Sequence, residues 1–210
     1  MVGDSTWPPV PLWNQPVPGH VGRPPVLWLV GAHGGAGVTV LARSLSFAGD
    51  AARRWPGLIG LGRGLDSPFV VVVGRTHMSG LAAVHQALLS HAHRATPAGV
   101  RVLGVLIVAD SDRPLSKSAA TRRDTVEALA CDLGAQPFRL GWIEPWRSLE
   151  PHELPAWTPD QPRRIGDRDA TKFPPAPVAG LAENLFAAAR GAFTKLRQQQ
   201  PPTTGRSIAG

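Results

Sequence analysis

Val26-Leu27-Trp28-Leu29-Val30-Gly31-Ala32-His33-Gly34-Gly35-Ala36-Gly37-Val38-Thr39-Val40-Leu41-Ala42 is the stretch on which the fold turns. An apolar run unbroken by polar residues reads as a strand covered on both faces, because a half-exposed strand would alternate. Glycines follow at once, then a threonine and a helix-like apolar spacing. This order predicts that Val26 to Val30 lie centrally in a parallel sheet and that Gly34 to Thr39 wrap a helix N-terminus. Glycines there let backbone N–H groups curl around an anion. Against the phosphate-loop pattern G-x-x-x-x-G-K-[ST], residues 32–39 keep Gly37 and Thr39 but place Ala32 at the first glycine and Val38 at the lysine. A glycine-rich turn can also be only the tight connection that lets strand and helix pack, so a loop that binds nothing stays open.

Working outward, Val38, Leu41, Leu45 and Ala48 fall on one helical face, and Gly49 stops the pattern. Phe69 to Val73 form a second buried strand, leading through Gly74-Arg75-Thr76-His77-Met78 to an N-cap at Ser79 and a helix with Leu81, Val84, Leu88 and Ala92 on one side. A third strand is expected over Val102 to Ala109, a helix over Ser118 to Leu133 stopped by Gly134, and a fourth strand over Phe138 to Ile143. Strands alternating with helices at this spacing mean parallel crossovers, hence an α/β fold with a three-layer, mostly parallel sheet. Residues 26–197 are read as one domain. Within it, 142–177 form an irregular wrap rich in proline and tryptophan, and 178–197 a closing helix. Residues 1–25 carry seven prolines with Trp7 and Trp13 and read as a Pro-rich flexible arm, while 198–210 read as a disordered tail.

The loop resembles the deviant P-loop of the MinD/ParA family, G-K-G-G-x-G-K-[ST], with the Gly34-Gly35-x-Gly37-x-Thr39 skeleton intact. His33 and Val38 stand at the two lysine positions. Val70-Val71-Val72-Val73-Gly74-Arg75-Thr76 is similar to a later strand of that family, and Ile143-Glu144-Pro145 to its last-strand Ile-Pro turn with one insertion. In the interval from Gly49 to Phe69, no aspartate ends an apolar run as the family's switch II aspartate does, since Asp66 precedes one. The resemblance spans about residues 26–150. It implies a P-loop NTPase-like domain whose cofactor would be ATP or ADP with Mg²⁺. Its cofactor-binding residues would be His33, Gly34, Gly35, Ala36, Gly37, Val38 and Thr39, and Thr39 would be the Mg²⁺ ligand if a nucleotide binds. With both lysines lost, the implied role is that of a catalytically degenerate adaptor or regulator, a pseudo-ATPase with a protein partner or a homodimer, acting beside DNA in partitioning, transfer or a mobile element.

Chemistry and composition frame that role. Arg75, at the carboxyl edge of the sheet beside the loop, is the first candidate to replace the missing lysine as an anion contact, with Arg43 the second. An atypical ATPase using such a substitute cation, and an interaction module that binds no nucleotide and contacts partners through its Trp/Pro-rich segments, are the alternatives. The formal net charge of +7 and a pI near 11.1 predict weak electrostatic attraction to nucleic acid, without a groove dedicated to it. No apolar run is long enough to span a bilayer, and no charged start precedes an apolar stretch, so neither a transmembrane segment nor a secretory signal is expected. A single cysteine, Cys131, set among apolar residues, is expected to be buried and argues for the reducing cytoplasm. His77, His85, His91 and His93 lack the spacing of a metal site.

Overall fold

The computed structural model describes residues 9–19, 24–62, 64–159 and 169–199. Their order is β1 (Leu27–Gly31), α1 (Val38–Ser44), β2 (Ala48–Asp50), β3 (Phe69–Arg75), α2 (Met78–Ala92), β4 (Arg101–Val108), α3 (Lys117–Asp132), β5 (Gln136–Leu140) and α4 (Ala176–Gln199). The five strands form one sheet in the order β2-β1-β3-β4-β5, every pair parallel. Such a sheet must be covered on both faces, since each crossover lays a helix on one side or the other.

Period-two alternation divides the strands between two cores. Leu27 and Leu29 of β1, Val71 and Val73 of β3, and Phe138 and Leu140 of β5 meet Val38 and Leu41 of α1 and Val178, Leu181, Leu185 and Ala189 of α4. Trp28 and Val30, Val70 and Val72, and Val105 and Ile107 point the other way, onto Leu81, Val84 and Leu88 of α2 and Val126 and Ala130 of α3. The layers are α1/α4, sheet, and α2/α3, the three-layer α/β arrangement read from the alternation. At the exposed edge, Arg139 of β5 donates two hydrogen bonds to the buried carboxylate of Glu127 on α3.

Several expectations are corrected. The face read as Val38 to Ala48 is not one helix, for α1 stops at Ser44 and Ala48 opens β2, a strand absent from the reading. Leu45 is extended at φ −125° and fully buried, and the flanking backbone pairs with Trp157: Trp157 N–H donates to Ser44 O at 2.8 Å and Ser46 N–H to Trp157 O at 3.1 Å. A distant segment therefore ends the helix. The cap of α2 is His77, whose Nδ1 accepts from Gly80 N–H at 2.9 Å, rather than Ser79. β5 lies two residues earlier at its start and three at its end than the expected fourth strand. Cys131 is exposed, not buried.

The described part of the arm docks on the body. Trp13 N–H donates to Trp55 O at 2.9 Å and Trp55 N–H to Pro11 O at 2.8 Å, while the Trp13 indole N–H reaches Ala51 O at 2.9 Å. Arg54 lies 5.0 Å over the Trp13 ring, and Val17, buried, donates to the carboxylate of buried Asp66 at 2.8 Å. Asp66 is thus an anchor for the arm. Residues 142–177 contain two 3-10 turns, Glu144–Ser148 and Pro151–Glu153, and α4 starts at Ala176 and runs to Gln199. Residues 1–8, with Trp7, and 200–210, most of the expected tail, lie outside the described residues. No helix among the described residues is long and apolar enough to cross a membrane.

Candidate functional site

The strand order reverses at β1: the chain leaves it for β2 on one side and returns past it to β3 on the other. In open parallel sheets the crevice outside the carboxyl ends of the strands at such a switch point is where ligands are held. Residues 32–37 cross that crevice. Gly35 and Gly37 have φ of 77° and 88°, the left-handed region that glycine enters without a Cβ clash. Gly34 and Gly35 are exposed, whereas Ala36 and Val38 are buried in the α1/α4 core. Val38 therefore points away from the crevice, and of this residue only the backbone N–H is available to a ligand.

The two expected lysine positions behave differently from lysines. His33 is turned under the loop and is 5% exposed. Its Nδ1 lies 2.7 Å from Gly34 O, which can only accept, so Nδ1 carries the proton; Nε2 accepts from Arg75 N–H at 3.1 Å. With both nitrogens engaged, His33 ties the loop to the end of β3 rather than facing a ligand. Its pKa is pushed below the ordinary histidine value, chiefly by burial, with the His77 ring at 5.0 Å and the Arg53 and Arg75 cations adding to the effect and the Gly34 carbonyl opposing it. Burial lowers His85 and His91 as well. The folded protein thus refuses protons that the unfolded chain accepts near pH 6.5, so stability should be complete above that pH and decline as pH falls through it. Thermal melts from pH 7.5 to 5 should show this decline, and His33→Asn should make it shallower, with His85 and His91 supplying the remainder.

Arg75 is placed as expected. Its guanidinium spans the crevice, donating to Ala109 O at 2.8 Å and Gly35 O at 3.3 Å, and a Cβ on Gly37 would lie 3.2 Å from its Nη2. Burial lowers its pKa and Asp110 opposes the shift, but an arginine stays charged. Thr76 bridges β3 to β4 by donating to the Asp110 carboxylate and accepting from Asp110 N–H at 3.0 Å. Arg43 sits in the last turn of α1, at the end away from the loop, and is no substitute for the lysine.

The sequence reading missed Asp50. It ends β2, immediately beside β1, and its Oδ2 accepts from the Thr39 hydroxyl at 2.8 Å while Oδ1 accepts from Ala52 N–H at 2.7 Å. A strand of three residues leaves too weak an apolar signal to mark its last residue, and no signal in the sequence pointed to it. A hydroxyl and a carboxylate in contact at the mouth of the crevice suit a hard cation that takes oxygen ligands. Two donors do not hold Mg²⁺ alone, and no group of three or more His, Cys, Asp or Glu able to hold a metal occurs among the described residues. Mg²⁺ fits here only together with phosphate oxygens.

Fold and site together define an all-parallel five-stranded α/β protein with a glycine loop at its switch point, flanked by an acid–hydroxyl pair and arginine. Comparison with family models, with curated proteins and with solved structures returned no match.

Proposed function

We infer that this protein binds a nucleotide through its phosphates without turning it over, and that it acts as an adaptor or regulator similar to a catalytically degenerate MinD/ParA-like protein. The observation that carries this reading is the convergence, at one strand-end crevice, of the open Gly34–Gly37 loop, the Thr39–Asp50 pair and the Arg75 guanidinium, drawn from three strand ends. When bound, Mg²⁺ would neutralise phosphate charge, with Thr39 and Asp50 as its protein contacts. Arg75 would exchange its carbonyl partners for a phosphate oxygen, a stronger, charge-assisted bond. Loop N–H groups would orient the same phosphates.

Turnover needs more. Stabilising the charge that develops on a transferred phosphoryl group takes, in addition, a cation held within the loop between the β- and γ-phosphates. Val38, apolar and buried, cannot supply it, and the contacts from outside the loop are read as holding the bound phosphates rather than as replacing it. The test is paired. ADP or ATP with Mg²⁺ should raise the melting temperature of the full chain, while phosphate release from ATP should stay at background. Absence of any stabilisation would overturn the binding reading. Turnover abolished by Thr39→Ala would overturn the pseudo-ATPase reading.

A further inference from the structure

The turn that follows β2 carries a second arginine to the loop. Asp50 Oδ1 holds Ala52 N–H at 2.7 Å, and Ala52 and Arg53 then adopt φ of 49° and 58°, two consecutive non-glycine residues in the left-handed region. L-residues rarely occupy it, and where they do the surroundings must enforce it. The consequence is positional: the Arg53 stem lies across the end of β1, its Cγ 3.3 Å from where a Gly31 Cβ would be, and Nη1 lies 3.6 Å from the corresponding point on Gly34. The guanidinium is close enough to depress the His33 pKa together with Arg75. Arg53 is exposed and makes no hydrogen bond or ion pair with a described residue, whereas its neighbour Arg54 is spent on Leu12 O and the Trp13 ring. The loop is therefore straddled, with Arg75 over Gly35 and Gly37 from β3 and Arg53 over Gly31 and Gly34 from the β2 side.

We propose that Arg53 is a phosphate-binding residue of this site, supplying from outside the loop the positive charge that Val38 cannot supply from within it. The proposal rests on the nucleotide reading above and adds the residue and the ligand class, a di- or triphosphate. A planar guanidinium offers two parallel N–H groups to phosphate oxygens, which a single lysine does not. A diphosphate lying along Gly34–Gly37 meets Arg53 at one end and Arg75 at the other, and its charge is matched without a lysine in the loop. Asp50 joins the parts, because one oxygen meets the Thr39 hydroxyl and the other sets the turn that aims Arg53.

The test is calorimetric titration of the full chain with inorganic pyrophosphate and with Mg²⁺–ADP. Arg53→Ala and Arg53→Gln are expected to weaken both ligands about tenfold to a hundredfold, the loss of one charge-assisted contact. Arg53→Lys should retain part of the affinity. Arg197→Ala, which removes the same charge from the last turn of α4, serves as the control and should bind as the wild type does. Because Arg53 is exposed, its variants should melt close to the wild type, which separates loss of binding from loss of fold. If the wild type binds and the Arg53 variants bind like Arg197→Ala, this proposal falls and the nucleotide reading stands. If the wild type binds neither pyrophosphate nor ADP, both fall.

Discussion

Gly37→Val should abolish the thermal stabilisation that ADP or ATP confers, at modest cost to the free protein. At φ 88° a β-branched side chain sits in a strained conformation, worth about 1–3 kcal/mol. The same Cβ would lie 3.2 Å from Arg75 Nη2 and press the guanidinium off the Gly35 and Ala109 carbonyls. A ligand at about a hundredfold its Kd stabilises the folded state by about 2.7 kcal/mol, and for a chain of this size each kcal/mol moves the melting temperature by about 2–4 °C. The expected result is a melt lowered by several degrees and no longer moved by nucleotide, with Gly37→Ala intermediate. Differential scanning fluorimetry across a nucleotide series measures both. An undiminished nucleotide shift in Gly37→Val would put the ligand elsewhere on the molecule.

Trp28→Ala should be strongly destabilising. Trp28 is 1% exposed on β1, an interior strand beside the edge strand β2, packed in the α2/α3 core, and its ring covers β2: a Cβ on Gly49 would collide with that ring and come within 2.6 Å of Pro25 Cγ. Removing a buried aromatic of this size costs about 3–5 kcal/mol, against a total stability on the order of 5–15 kcal/mol, so the melting temperature should drop by about 6–20 °C. The two positions are coupled. Gly49→Ala should be severely destabilising alone and should cost less in the Trp28→Ala background, where the colliding ring is gone and only the Pro25 contact remains. Denaturant unfolding of the two single variants and the double variant gives the coupling; additive effects would mean that the ring does not pack on Gly49.

The parallel α/β class, an interior first strand and the glycine turn at its end were legible in the sequence, because each rests on short-range signals; that β1 lies one strand from the edge rather than at the centre was not. Continuous apolar runs at Leu27–Val30 and Phe69–Val73 read as strands covered on both faces, and left-handed turns at Gly35 and Gly37 favour residues without a Cβ. Thr39 and Arg75 could be nominated for the same reason, one being in the loop and the other two residues past a buried run. What needed the tertiary structure were relations between residues far apart in the chain or hidden in weak segments. Three residues of β2 carry no periodicity, so Asp50 could not be seen as a strand-end carboxylate until the pairing with β1 set it against Thr39. Trp157, more than a hundred residues away, ended α1 at Ser44 and so made room for that strand. His33 could be read as facing a ligand until burial turned both of its nitrogens onto the backbone. Arg53 joined the loop only through a left-handed turn that its own residue type disfavours and that Asp50 holds. Local sequence encodes which elements form because propensity and periodicity are local energies. Which side chains meet across the crevice is set by strand order and by the burial of groups brought together from separate segments, and that is decided only when the sheet closes.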